Sequence, residues 1–473
     1  MSYEKHRGIL ANAPGDNMLY DGHFSIKYAD VPRILKEIDA IFCCYDKDDI
    51  RCLGLSVENK VIQTIVVLYL LSEKINFYLL PGDPSGRQVP PFCDRILSFL
   101  PDHSQTENLG RLIQICMNPD FVEAGTTIEP LSGAVFFSSS GTSGLPKYVY
   151  FQQENLIRNA RNCLERFRYN SGSRVLIPVP INHMYGMGAG WLPAMISGAC
   201  ICLIDRNNIV KLYDKIAQFS PDITLITPAV CKMLLMLNKD ISAKTIYITA
   251  GEIMKQEVSK QFESRYGTLI NLYGCTEQGA IATTSLEDDD RAYSSAGLLK
   301  PLDHVAVEID GEDKGEILCK HNAGFEGYVD KYGNMQPGLE GKSTWYRTKD
   351  IGWHNGGSYF KVIGRKDNCI NRSGFLISLE EIEYKLEDLF PVKKAVVFEC
   401  DSEEGLMNRL VAICELADGM DLEDRAVKDI CRNKMSRHQM PDEFYFVRHL
   451  PRLNNGKPDR FYLAHNYKTF IKN

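Results

Sequence analysis

From about residue 131 onward, short runs of β-branched and aromatic residues alternate with segments whose apolar residues recur at helical spacing. That alternation restricts the chain to parallel sheets covered by helices, because each strand needs a crossover helix before the next can lie parallel to it. Residues 134–138 read as a strand, and Leu156, Ala160, Leu164 and Phe167 then share one helical face. Further strands are expected at 174–178, 199–203, 223–226 and 245–249, with helices at 210–219, 229–237 and 255–266. The expected fold class is α/β. Upstream, the apolar stretch 61–71 falls short of the ~20 residues needed to span a bilayer and reads as a buried helix.

After Thr284 the character changes. Gly, Asp and Asn turns separate short β-rich runs near 305–309, 316–319 and 359–363. Beyond Gly364 comes a compact α+β pattern, with helices at 379–389 and 424–434 and strands near 395–398, 410–413 and 444–447.

Composition bears on partners and compartment. With 54 Lys and Arg against 61 Asp and Glu, the net charge is −7. Nucleic acid held by bulk positive charge is therefore excluded. The 15 cysteines run from Cys43 to Cys431 without a C-x-x-C pair, and residues 1–21 carry charges and no apolar core of signal-peptide length. Buried thiols in a reducing cytoplasm are the expectation, with no membrane span.

The most informative segment is Ser138-Ser139-Ser140-Gly141-Thr142-Ser143-Gly144-Leu145-Pro146-Lys147. Its hydroxyls donate, its glycines let backbone approach an anion, and Lys147 adds positive charge, a combination suited to a polyphosphate. Pro146 stands where a Walker A loop requires its second glycine, so this is not that motif. Taken alone, the segment also reads as a Ser/Gly surface loop.

Four further segments follow it in order. They are Asn271-Leu272-Tyr273-Gly274-Cys275-Thr276-Glu277, Trp345-Tyr346-Arg347-Thr348-Lys349-Asp350, Gly364-Arg365-Lys366-Asp367 with Gly374 and Glu380-Glu381-Ile382-Glu383, and Asn455-Gly456-Lys457-Pro458-Asp459-Arg460. With the first loop they resemble the motifs of the adenylate-forming superfamily: acyl-CoA synthetases, aryl-CoA ligases, peptide-synthetase adenylation domains and luciferases. The resemblance covers residues 138–460 and is weakest over the first 130 residues, where it implies that residues 48–80 are the family's usual early αβ unit. It implies a large N-terminal domain, 1–364, of αβ subdomains plus a β-rich subdomain. A hinge at 365–367, centred on Asp367, and a small mobile C-terminal domain, 368–473, would follow.

The implied chemistry is activation of a carboxylate by ATP. A carboxylate is a poor acylating agent until it becomes a mixed anhydride with AMP, and its attack on phosphorus brings anions together. Catalysis is then mostly positioning and charge neutralisation. By resemblance, Ser139, Ser140, Gly141, Thr142, Ser143, Gly144 and Lys147 would hold the phosphates. Thr276 would contact the α-phosphate, and Glu277 would help hold Mg2+. Asp350 and Arg365 would hold the ribose, while Asn271, Tyr273, Gly251 and Glu252 would line the adenine site. Lys457 would bridge the carboxylate and the α-phosphate. Rotation at the hinge would withdraw Lys457 and bring the Gly374 segment to the acyl-adenylate, where a thiol, of CoA or of a carrier-protein phosphopantetheine, accepts the acyl group.

Pro180-Ile181-Asn182-His183-Met184-Tyr185-Gly186 resembles a segment of acyl- and aryl-CoA ligases that carries His at this place. Amino-acid-activating domains usually have Asp there to pair with the substrate ammonium, so His183 argues against an α-amino acid. The acyl pocket would be lined by His183, Met184, Tyr185, Ala189, Leu272, Gly274, Ala280 and Ile281. Leu272 would shorten it toward short, medium-chain or small aromatic acids. Three substitutions depart from the family pattern: Tyr148 and Lys349 replace glycines, and Asn371 stands where many relatives have Lys. The leading expectation is an acid ligase that makes an acyl-AMP and then a thioester of CoA. The alternatives are loading of an acyl carrier protein through a basic patch such as Lys393, Lys394, Arg432, Lys434 and Arg437, an amino-acid adenylating enzyme, and a non-catalytic nucleotide-binding homologue.

Overall fold

The computed structural model describes residues 13–22, 24–45, 47–57, 59–80, 89–99, 113–123, 128–130, 132–139, 147–204, 209–237, 239–241, 244–252, 254, 256–287, 297–336, 345–354, 356–372, 375–400, 409–453 and 456–471. By internal contacts the chain divides into two compact units, one of residues 1–307 and 319–346, the other of 308–318 and 347–473. The expected hinge residues 365–367 lie within the second unit, as part of the strand Phe360–Arg365 and the short helical turn Lys366–Asn368.

The first unit contains a nine-stranded and a seven-stranded sheet. In the nine-stranded sheet the strands Gly267–Cys275, Thr245–Ala250, Ile223–Ile226, Arg174–Ile177, Cys200–Leu203 and Met18–Tyr20 lie side by side and parallel. Antiparallel strands close both flanks, Gly279–Thr283 and Lys300–Pro301 on one side and Ser25–Lys27 on the other. All four residues of Ile223–Ile226 are buried, as expected of a parallel strand covered on both faces. Leu176, Cys202, Leu212, Ile216, Leu234, Tyr247 and Phe262 form the core between this sheet and its helices. At roughly 1.5–3 kcal/mol for each large apolar side chain buried, this layer is a principal stabilising element.

The seven-stranded sheet runs Gly327–Val329, Lys147–Gln152, Ala134–Ser139, Phe77–Leu79, Leu53–Ser56, Arg95–Phe99, Ile113–Met117. The expected early αβ unit is present as Leu53–Ser56, the helix Lys60–Ser72 and Phe77–Leu79. That helix starts where the Asn59 side chain accepts the Ile62 N–H, at 3.0 Å, and residues 64–71 are all buried. It has no wet face, which is why its sequence lacks a polar stripe.

The second unit contains most of a four-stranded sheet, in the order Val305–Asp310, Lys314–His321, Tyr346–His354, Phe360–Arg365. It also contains the hairpin Cys369–Arg372 with Phe375–Ser378 and the three-stranded sheet Val392–Cys400, Arg409–Leu416, Glu443–Val447. The helices Leu379–Leu389 and Asp424–Lys434 cover that last sheet through Ile382, Leu386, Val427 and Cys431. A third helix, Arg460–Phe470, packs Leu463 and Tyr467 onto the sheet with Val396, Phe398, Val411 and Ile413. The cysteines among the described residues are free thiols, many of them buried. Among the described residues no helix is long and apolar enough to cross a membrane.

Candidate active site

The parallel strands of the nine-stranded sheet end on one edge at Ile177, Ile226, Ala250 and Cys275, and the ends at Ile177, Ala250 and Cys275 each lead into a candidate segment. The chain leaves Arg174–Ile177 for Cys200–Leu203 on one side and then returns to Ile223–Ile226 on the other. In an open α/β sheet that reversal leaves a crevice at the strands' carboxyl ends, where ligands bind. His183, exposed, stands after the first of these ends, and its carbonyl accepts the Met187 N–H at 2.9 Å as the chain enters the π-helix Tyr185–Trp191.

Tyr185 spans the crevice. Its hydroxyl lies 2.9 Å from the Ile226 carbonyl and 2.6 Å from that of Ile248, so its one proton is shared between two neighbouring strands. Burial pushes its pKa well up, and the hydroxyl stays protonated. Met184 and Ala189 are buried beside it, and Leu272 is buried too. In register Gly274 faces Ala280 and Leu272 faces Thr283. Ala280 and Ile281 are consecutive strand residues and face opposite sides of the sheet, so the structure does not bring both to one surface. Gly251 and Glu252 form an exposed bend directly after Ala250. Asn271 pairs with Thr249 in the ladder, and Tyr273 pairs with Ala282.

Thr276 and Glu277 occupy the three-residue turn between Gly267–Cys275 and Gly279–Thr283. The turn is tight enough that a Cβ on Gly274 would stand 2.1 Å from the Gly279 carbonyl oxygen, and Gly279 itself has φ +66°. Only glycine meets both demands without strain. The turn is then pinned from outside. The Phe325 N–H donates to the Glu277 carbonyl at 2.8 Å, and the Tyr328 hydroxyl donates to the Glu277 carboxylate at 2.6 Å. His321 Nδ1 meets the Gln278 carbonyl at 3.0 Å, while Asn162 Nδ2 lies 3.1 Å from His321 Nε2. Carbonyl and amide together assign the His321 proton to Nδ1. Burial holds this imidazole neutral, its pKa lowered to about 4.

Of the phosphate segment, Ser139 and Lys147 are register partners on antiparallel strands, and the next helix begins only at Gln153. Ser140, Gly141, Thr142, Ser143 and Gly144 lie outside the described residues, as do the side chains of Ser139 and Lys147. So does Gly374.

In the second unit Asp350 and Arg365 face each other in register, and the guanidinium donates to Asp350 Oδ1 at 3.2 Å. Asp350 is 8% exposed. The Thr348 hydroxyl orders the approach to it, donating to the Ile317 carbonyl at 2.9 Å and accepting the Asp350 N–H at 3.1 Å. Lys349 between them has φ +61°, the left-handed conformation that glycine adopts without strain. Glu316, buried, accepts from Arg347, Lys366 and the Lys349 N–H and so braces the strand from behind. Asp367 is exposed, 3.8 Å from Arg365.

Lys457 is exposed on a hairpin of this second unit. Its carbonyl accepts the Leu453 N–H at 2.8 Å. Arg452 ties the hairpin down, donating to the Gly456 carbonyl at 3.1 Å and to the buried Glu415 carboxylate at 2.8 Å. Arg460, three residues beyond Lys457, forms a 2.6 Å ion pair with Glu383. Tyr328, His321, Glu316, Arg452 and Glu415 make contacts that motif reading passes over. Each reaches its partner through a nonlocal pairing.

The family model described as AMP-binding enzyme matches residues 91–329, half of the chain. The chain belongs to the AMP-binding enzyme family. Among curated relatives of this AMP-binding enzyme, the indoleacetate–CoA ligase of Aromatoleum aromaticum (strain DSM 19018 / LMG 30748 / EbN1) is 28% identical over 352 residues, 72% of this chain and 68% of that one. The D-alanine–D-alanyl carrier protein ligase of Bacillus licheniformis is 27% identical over 347 residues, 68% of each chain. Among solved structures, the anthranilate CoA ligase AuaEII in complex with anthranoyl-AMP superposes with a TM-score of 0.77 at 16% identity, covering 99% of this chain and 97% of that one. The AMP-binding enzyme thus has the mixed α/β fold of adenylate-forming enzymes.

Proposed function

We propose that this protein is an ATP-dependent, AMP-forming ligase that adenylates a carboxylic acid other than an α-amino acid and passes the acyl group to the thiol of CoA. The observation that carries the reading is the turn at 276–278, which presents Thr276 and Glu277 at the carboxyl edge of the parallel sheet with the Glu277 carboxylate already hydrogen-bonded. In the first step a carboxylate oxygen attacks the α-phosphorus, and the bond to the bridging oxygen breaks as pyrophosphate leaves. In the second, a thiolate attacks the acyl carbon, and AMP departs with the oxygen that came from the acid.

This chain's own residues supply positioning and charge. Asp350, an acceptor-only group oriented by Arg365, suits two ribose hydroxyls. Lys457 supplies a mobile cation for the first step. Glu277, a single hard carboxylate, fits Mg2+ brought in with the nucleotide. Among the described residues no cluster of three or more His, Cys, Asp or Glu side chains could cage a metal, which accords with an ion held largely by phosphates. Bound there, Mg2+ would neutralise phosphate charge.

Three of the cations that could dock an acidic carrier protein are occupied within their own unit. Lys393 pairs with Asp418, Lys394 with Glu387 and Arg432 with Asp429, at 2.6, 2.7 and 2.5 Å. That favours CoA. The D-alanyl carrier protein ligase among the relatives keeps a carrier thiol as the second reading.

Acid-dependent ATP–pyrophosphate exchange over aliphatic, aromatic and amino acids, D-alanine included, tests the reading, followed by thiol titration with CoA. Exchange with a non-amino acid and loss of free CoA thiol are expected. Exchange with amino acids alone, or no exchange with any acid, would overturn it.

A further inference from the structure

The Glu277 carboxylate is approached by two phenols in series, and this arrangement deepens the ligase reading on which it rests. The Tyr328 hydroxyl donates to Glu277 Oε1 at 2.6 Å, a short charge-assisted bond. The Tyr346 hydroxyl in turn donates to that of Tyr328. Both rings stand edge-on to Phe325, at 5.1 Å and 5.5 Å between centroids, and the Phe325 backbone N–H holds the Glu277 carbonyl. One residue therefore anchors the acid's main chain and packs the two rings that reach its side chain.

Tyr328 itself is fixed by the ladder. It sits on the strand Gly327–Val329 opposite Val149, on the strand that follows the phosphate segment. A carboxylate meant to share a divalent ion with a phosphate must present one oxygen in a fixed direction. An outer partner that binds the other oxygen does this, and removing such partners typically weakens metal binding about 10–100-fold.

We propose that Tyr328 is a positioning residue for the Glu277 carboxylate, holding it in the orientation that receives the divalent cation of the metal–nucleotide complex, and that Tyr346 acts through Tyr328. The test measures Mn2+ affinity in the ternary complex with ATP and the full-length protein by water-proton relaxation, with no acid present. Tyr328→Phe keeps the ring against Phe325 and removes only the hydroxyl.

The expected result is Mn2+ affinity reduced about tenfold in Tyr328→Phe, with metal-free ATP binding changed less than about twofold. Tyr346→Phe shifts Mn2+ affinity the same way by less, and the double variant is no worse than Tyr328→Phe alone. Unchanged Mn2+ affinity in a folded Tyr328→Phe protein overturns the proposal. So does an equal loss of metal-free ATP binding, which is what a merely structural role would give, or a wild-type protein that forms no Mn2+–ATP complex. If Tyr328→Phe does not fold, Tyr346→Phe decides: weakened Mn2+ binding supports the proposal and unchanged binding overturns it. A wild-type protein that activates no acid, yet loses Mn2+ affinity in Tyr328→Phe, would sink the ligase reading and leave this one standing.

Discussion

Glu316 and Lys366 stand 2.9 Å apart, joining the strand behind Asp350 to the short turn that begins at the expected hinge. Arg347 approaches the same carboxylate at 2.9 Å, and the Lys349 N–H reaches its other oxygen at 3.2 Å. Burial alone would raise the Glu316 pKa, but the hydrogen bonds from Lys366 and Arg347 outweigh it and hold the group below its ordinary value of 4.5. A carboxyl depressed in the folded state stabilises the protein above its unfolded value, and that contribution is lost as pH falls through the folded one. Both cations are more than half exposed, which limits the gain. Glu316→Gln is expected to cost about 1–3 kcal/mol at pH 7 and to flatten the loss of stability below pH ~4.5. Urea denaturation at pH 7 and pH 4 reads both effects. Equal acid sensitivity in the variant and the wild type would contradict this account.

Lys349 holds a left-handed backbone conformation at φ +61° with a full side chain. Lys349→Gly removes the Cβ clash while adding backbone freedom to the unfolded chain. The net expectation is a gain of about 0.5–1 kcal/mol. Thermal unfolding checks it, and a lower midpoint in the variant would contradict it.

His321 is neutral in the fold, with its pKa lowered from 6.5 to about 4. The unfolded chain takes up the proton first, so stability from this group is complete above pH ~6.5 and declines as pH falls from there toward about 4. The loss is on the order of 3 kcal/mol. His321→Gln is expected to remove that slope between pH 6.5 and 4 while lowering stability at pH 8, where the contact to the Gln278 carbonyl is weakened. Denaturation midpoints across this range provide the check. A slope unchanged by the substitution would locate the titrating group elsewhere.

The elements legible in the sequence were those whose signal is local. The strand Ile223–Ile226 and the helices Leu379–Leu389 and Asp424–Lys434 lie where periodicity places them, because each carries its own apolar pattern and bounding turns. Met18–Tyr20 did not stand out. Three residues carry no period, and the strand exists only by pairing with Cys200–Leu203 far along the chain. The hairpin Cys369–Arg372 with Phe375–Ser378 was hidden for a related reason, since Cys-Ile-Asn-Arg does not alternate in polarity over a useful length. Of the candidate residues, Thr276, Glu277 and Asp350 were recognisable as parts of motifs. Their supports were not: Tyr328 meets Glu277 only after its strand joins Lys147–Gln152. Glu316 meets Lys349 only across the four-stranded sheet.

The central claim is that an acid oxygen becomes bonded to the α-phosphorus of ATP. The most direct measurement supplies an exchange-active acid labelled with 18O in both carboxylate oxygens, together with ATP and CoA, and follows the label by mass spectrometry. The account predicts one labelled oxygen in each AMP released, the other retained in the thioester, and unlabelled pyrophosphate, with turnover reduced by orders of magnitude in Lys457→Ala. Label in inorganic phosphate with ADP as the co-product, or AMP without label, would contradict it.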